Sequence, residues 1–245
     1  MDKFLYVAMS GAKETLRAQS ANSHNLANAS TTGFRADLSA FQSRAVAGSG
    51  YASRVYATNT TTGWDQSVGA QMATGGSLDV AINGDGFIAV QGPDGREAYT
   101  RAGDLIVDAN GQLMTKTGLP VLGDNGPLSV PPNNSLSIAP EGTISIVPQG
   151  QGPETTASIG RIKLVNPGND LFDRGEDGLF RMRDGSDAPS EANVRLNTGT
   201  LEASNVNAAQ AMVNMIELAR NFEMQVKVIK SAEENGAVSA QLLRS

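Results

Sequence analysis

Gly84-Asp85-Gly86-Phe87-Ile88-Ala89 is the segment of this chain that comes nearest to a chemical motif. Its spacing formally fits a dinucleotide fingerprint, in which glycines let the backbone approach a pyrophosphate at the start of a helix. The next residues are Val90-Gln91-Gly92-Pro93, which do not open a helix. Apolar runs at 78–82 and 87–90 instead make Asn83-Gly84-Asp85-Gly86 the turn of a β-hairpin. The single histidine, His24, excludes an HExxH zinc site and sits among Asn22, Ser23 and Asn25, as on the polar face of a helix. Asp85, Asp94, Asp177 and Asp184 stand at turns, where Asp bonds its own backbone, and none has EF-hand spacing. With no cysteine there is no thiolate nucleophile, cysteine-held zinc or disulfide. A carboxylate pair could still be assembled in space, although an aromatic content of 5% counts against a sugar cleft. No catalytic, cofactor-binding or metal-ligating residue is therefore assigned, and the chain is expected not to be an enzyme and to need no cofactor.

The informative patterns are at the ends. Leu5, Met9, Ala12, Leu16, Gln19, Ser23 and Leu26 recur at alternating steps of four and three. Ala208, Met212, Met215, Ala219, Phe222, Val226 and Ile229, then Gly236, Ala240 and Leu243, carry a similar stripe along the C-terminal segment. Such a stripe is the seam by which helices pack side by side. Val206, Val213, Ile216, Leu218 and Val228 widen the second seam, as expected of a helix that touches several neighbours. The first helix should stop near 25–33, where Asn, Ser, Thr and Gly33 compete with it. The second should begin at Ser204 or Asn205, either of which can cap it. Met215→Asp or Phe222→Asp is expected to block assembly through this seam by burying an unpaired charge.

Between the ends, turn signals at Asp94-Gly95, Asn110-Gly111, Asn125-Gly126, Asp177-Gly178 and Asp184-Gly185 separate short apolar runs. This spacing predicts a small all-β domain rather than βαβ units. The expected class is α+β, with long N- and C-terminal helices forming a coiled-coil-like assembly module and a central all-β domain reached by an extended arm. The expected divisions are an N-terminal assembly helix (1–33), the arm (34–76, with short strands possible at 55–62), the β domain (77–200) and a C-terminal assembly helix (201–245) packing on the first. A net charge of −6 and a pI near 4.9 leave no basic stripe for nucleic acid. No stretch approaches the roughly 18 apolar residues of a membrane span, and the apolar run near the start is too short for a cleaved signal.

Asn25-Leu26-Ala27-Asn28 with Thr31-Thr32-Gly33-Phe34 resembles the N-terminal signature of the flagellar rod and hook family of axial proteins. Thr198-Gly199-Thr200-Leu201-Glu202-Ala203-Ser204-Asn205-Val206, with Met212-Val213-Asn214-Met215-Ile216 after it, resembles its C-terminal one. Residues 78–87 and Tyr99-Thr100-Arg101-Ala102-Gly103 resemble the opening of the family's β domain. The opening residues 1–12 are most similar to proximal-rod members, ahead of distal-rod and hook members. The resemblance implies a structural subunit of the basal body, in the rod that crosses the periplasm and carries torque from motor to hook. It further implies Asn25, Asn28, Thr32, Gly33 and Phe34 as motif residues. The implied partners are copies of the chain, rod proteins above and below it, and the flagellar type III export apparatus, with export without a cleaved signal. Two rivals, a secreted β-domain enzyme or carbohydrate binder and a coiled-coil adaptor, leave the signatures at both ends unexplained.

Overall fold

The computed structural model describes residues 3–45, 55–152, 155–168, 171–175 and 177–242. The chain forms two compact units, each assembled from separated segments.

The first unit comprises Met1–Ala29, Ala36–Asp65 and Val206–Ser245. It holds helix α1 (Lys3–Ala27), strands β1 (Asp37–Ala45) and β2 (Val55–Trp64), and helix α2 (Ala208–Leu242). Both helices lack proline and are rich in Ala, and α2 adds several Met, Gln and Glu, residues that give up little freedom in a helix. They run antiparallel, since Gly11 faces Gln225 whereas Asn22 donates through Nδ2 to the carbonyl of Ala211 at 2.7 Å. A Cβ on Gly11 would stand 3.1 Å from the end of the Gln225 side chain, a tight contact that this amide would have to relieve by shifting. Strands β1 and β2 pair antiparallel from Asp37 opposite Trp64 to Ala45 opposite Val55. The segment read as an arm thus contains a long β-ribbon, and α1 packs on it, with Ser10 donating to the carbonyl of Ala57 at 3.1 Å.

Helix α2 starts later than the sequence suggests. Asn207, not Ser204 or Asn205, is its cap: Oδ1 accepts the Gln210 amide at 3.1 Å and the carbonyl accepts Ala211 at 2.9 Å. Asn207→Ala is expected to remove about 1 kcal/mol from this helix start, read as faster amide exchange at Gln210 and Ala211. The helix has 35 residues, about 52 Å at 1.5 Å per residue. Leu243, and the side chain of Ala240, lie outside the described residues.

The second unit comprises Ser30–Arg35 and Gln66–Asn205. Its strands begin with β3 (Gln71–Ala73), β4 (Val80–Asn83), β5 (Phe87–Gln91) and β6 (Glu97–Thr100). A five-stranded antiparallel sheet runs in the order Leu164–Val165, β5, β6, Phe180–Met182, Phe172–Arg174. Asn133–Ile138, Thr143–Pro148 and Ala157–Arg161 form a three-stranded sheet, and shorter pairs complete the unit. One aliphatic core joins them, from Val80, Ile82 and Ile88 to Ile144, Ile162 and Leu196. Phe87, Phe172, Phe180 and Tyr99 stack beside it with ring centroids 4.8–6.4 Å apart. The buried Tyr99 hydroxyl donates to Glu97 at 2.7 Å and accepts the Ala188 amide at 2.6 Å. Burial holds its phenol protonated far above the usual range.

The turn at 83–86 is the main departure from expectation. β4 does not pair with β5; it pairs with Arg195–Thr198, while β5 pairs with β6 and Leu164–Val165. The glycines carry the chain from one sheet into another, Gly86 at φ 134° with no room for a Cβ beside Val194. Hairpin and crossover share the same turn chemistry, which is why the residue types could not separate them.

Candidate functional site

In the first unit the helical stripes split by depth. On α1, Ala8, Ala12, Thr15 and Ala18 are buried, whereas Met9 and Leu16 of the predicted seam remain 52% and 49% exposed. Leu5, Gln19 and Leu26 are half-buried. On α2, Ala211 is buried, and the seam residues Ala208, Met215, Ala219, Phe222, Val226 and Ile229 are half-buried. Met212 is 52% exposed, and Val213, Ile216 and Met224 are exposed as well. At 3.6 residues per turn, Ile216 and Met224 fall on the side of α2 opposite Ala211 and Phe222. The stripes therefore lie at the border between a face covered within the chain and an open face on which apolar side chains alternate with charged ones such as Arg220 and Glu223.

The end of α1 is pinned to the start of β1. Asn25 Nδ2 donates to the Asp37 carbonyl at 2.9 Å, and Asn25 Oδ1 accepts the Asp37 amide at 2.8 Å. One amide side chain thus stands in for a β-strand neighbour. His24 Nδ1 lies 2.7 Å from Asp37 Oδ2, and Asn28 Nδ2 closes the helix end by donating to the His24 carbonyl at 2.9 Å. His24 is thereby a polar contact of the helix end. A groove of about 430 Å³ beside these residues is lined by Asn22, Asn25, Asn214 and Asn221, groups suited to hydrogen bonding.

The rest of the N-terminal motif is built into the second unit. The Gly33 amide donates to the Glu202 carbonyl at 2.8 Å. Gly33 has φ +68°, and a Cβ there would lie 2.3 Å from the Arg101 carbonyl carbon. Gly33→Ala is accordingly expected to cost at least about 2 kcal/mol, left-handed strain plus a backbone clash, seen as a lower urea midpoint. Phe34 is buried under Arg174, whose guanidinium carbon stands 4.4 Å above the ring and whose Nη1 donates to the Arg35 carbonyl at 2.6 Å. Thr32 is half-buried.

Next to Phe34 is a buried charge cluster. Arg35, Arg101 and Glu202 are 2%, 3% and 1% exposed. Glu202 Oε1 meets Arg35 Nη2 at 2.8 Å and the Gly69 amide at 3.0 Å; its Oε2 accepts Arg101 Nε at 2.8 Å. The rest of the Arg101 fork donates to the carbonyls of Gly86 and Gly84 at 2.8 and 2.9 Å. The turn that looked like a phosphate loop is thus wrapped around an arginine. Gly103 is constrained too, since a Cβ there would sit 1.7 Å from the Val80 carbonyl oxygen.

Known families match three successive parts of the chain. The family described as Flagella basal body rod protein matches residues 5–35. The Flagellar hook protein FlgE/F/G D1 domain matches 81–146, and the Flagellar basal body rod FlgEFG protein C-terminal matches 197–242. The chain is 44% identical to the flagellar basal-body rod protein FlgF of Escherichia coli (strain K12), covering 99% of each. The chain belongs to the flagellar basal-body rod protein family. Among rod proteins it is also 43% identical to FlgF of Salmonella typhimurium, again over 99% of both chains. A FlgG rod protein of Buchnera aphidicola is 35% identical, over 91% of this chain and 94% of its own. The match to FlgF is thus the stronger of the two kinds.

In this rod protein Asn25, Asn28, Gly33 and Phe34 have evident physical tasks, each within its own unit. Arg35, Arg101, Arg174 and Glu202 went unassigned in the sequence. Two of them stood inside family-like segments, but the pairing of Arg101 with Glu202 spans 101 positions and leaves no periodic trace.

Proposed function

We propose that the chain is a structural subunit of the proximal segment of the flagellar basal-body rod, a drive-shaft protein without catalytic activity. The observation that carries this reading is the set of large apolar side chains left open on both helices: Met9 and Leu16 on α1, with Met212, Val213 and Ile216 on α2, are uncovered by the chain itself. In a rod-family protein such faces fit the helices of neighbouring copies and of the rod proteins above and below. Repeating one head-to-tail contact by a non-closing rotation builds a helical tube rather than a ring. Burying that apolar area offsets the entropy of fixing the helices, at about 25 cal/mol per Å² removed from water. Torque is then carried as shear shared among many helix contacts. Export through the flagellar type III apparatus is the route by which this reading brings the chain to the rod.

An in-frame deletion, scored for swimming and for basal-body shape by electron microscopy, tests the proposal. Non-motile cells with basal bodies arrested before a complete rod and hook, restored by the intact gene, are expected. Normal swimming with complete basal bodies would refute it.

A further inference from the structure

The chain passes between its two units four times: after Ala29, before Ala36, after Asp65 and after Asn205. Within the second unit, these passages are the ends of three segments, Ser30–Arg35, the stretch from Gln66 onward and the stretch up to Asn205. All three converge on one carboxylate. Glu202 belongs to the third segment, holds the first through Arg35 Nη2 at 2.8 Å, and holds the second through the Gly69 amide at 3.0 Å. Backbone bonds lace the same segments together: Gly33 to Glu202 at 2.8 Å, Ala203 to Ala70 at 2.8 Å and Asn205 to Phe34 at 3.3 Å. Arg101 then anchors the carboxylate to the turn that leads into β5, through the carbonyls of Gly84 and Gly86.

We infer that the Arg35–Glu202–Arg101 cluster is a mechanical joint, fastening every segment by which the β unit is connected to the helical unit into one load-sharing node. A buried ion cluster adds little net stability over an apolar replacement, because desolvation opposes the Coulomb gain. What it supplies is geometry: planar guanidinium forks accept few arrangements around a carboxylate, whereas apolar packing tolerates many. Load entering along any one segment is therefore passed to the other two and, through Arg101, to the β core. For a subunit of a drive shaft this fixes the root of the β unit against torsion, a role that rests on the rod reading above.

Amide exchange in the purified full-length chain tests the joint directly. In Glu202→Gln, exchange is expected to rise together by about tenfold or more at 33–35, 67–70 and 202–205, with a clearly smaller rise in β5 and β6 that matches the fall in global stability. Loosening of one segment alone would overturn the joint, and equal loosening of β5 and β6 would reduce the cluster to an ordinary stability element. Should Glu202→Gln not fold, Arg35→Lys, which keeps the charge and loses the fork, must give the same three-segment pattern or the inference falls. In cells, either variant is expected to build complete basal bodies but to shed hooks and filaments as the medium is thickened. Complete retention at every viscosity would remove the mechanical role. The exchange measurement does not depend on the rod assignment, whereas failure of the wild-type gene to restore a deletion strain would count against that assignment alone.

Discussion

Glu202→Ala is expected to destabilise the β unit by about 3–5 kcal/mol, the cost of leaving buried charge without its partner. Arg35 and Arg101 are 2% and 3% exposed, so neither can recover the lost interaction by turning to water. Against a typical domain stability of about 5–15 kcal/mol, that is from about a fifth of the total to all of it. Urea unfolding monitored by far-UV circular dichroism would read it as a large fall in midpoint. The double variant Glu202→Ala with Arg35→Met is expected to recover at least about 1 kcal/mol, because it removes one stranded charge while keeping bulk. If the double variant is less stable than the single, the loss comes from packing and not from charge. Arg101 should keep its carbonyl partners at Gly84 and Gly86 in both.

The helices were legible because their signal is local. A stripe at steps of four and three needs only neighbours within one turn, and α1 and α2 occupy the segments that the stripes marked. The turn glycines were legible for a similar reason: Gly95, Gly111, Gly126, Gly178 and Gly185 all have positive φ, which other residues rarely adopt. Pairing was not legible. The runs read at 78–82 and 87–90 do hold strands, at Val80–Asn83 and Phe87–Gln91, yet their partners lie more than a hundred positions away for β4 and on two sides for β5. The ribbon of β1 and β2 was half seen, because Thr58, Thr60 and Thr61 are good strand formers without apolar alternation. The buried cluster shows the same limit most sharply. Nothing in the types Arg35, Arg101 and Glu202 distinguishes them from solvated surface charges until the fold removes the water around them.

Depth also decides which seam residue to mutate. Met215 lies on the side of α2 that carries Ala211 and Gln225, the residues whose contacts reach α1. Met215→Asp should therefore separate the two helices within one chain, and a loss of rods would not reveal whether subunit contacts were touched. Ile216, one position on, is 56% exposed. Ile216→Asp should leave the free chain's stability within about 0.5 kcal/mol of wild type, as for other surface changes. If neighbouring subunits cover that face, the same aspartate becomes buried and unpaired on assembly, at a cost of several kcal/mol per contact. The expected outcome is an exported, normally folded chain with non-motile cells and basal bodies stalled at the rod. Motile Ile216→Asp cells would move the intersubunit contact off this face of α2 and onto the side of α1 that exposes Met9 and Leu16, where Leu16→Asp applies the same test.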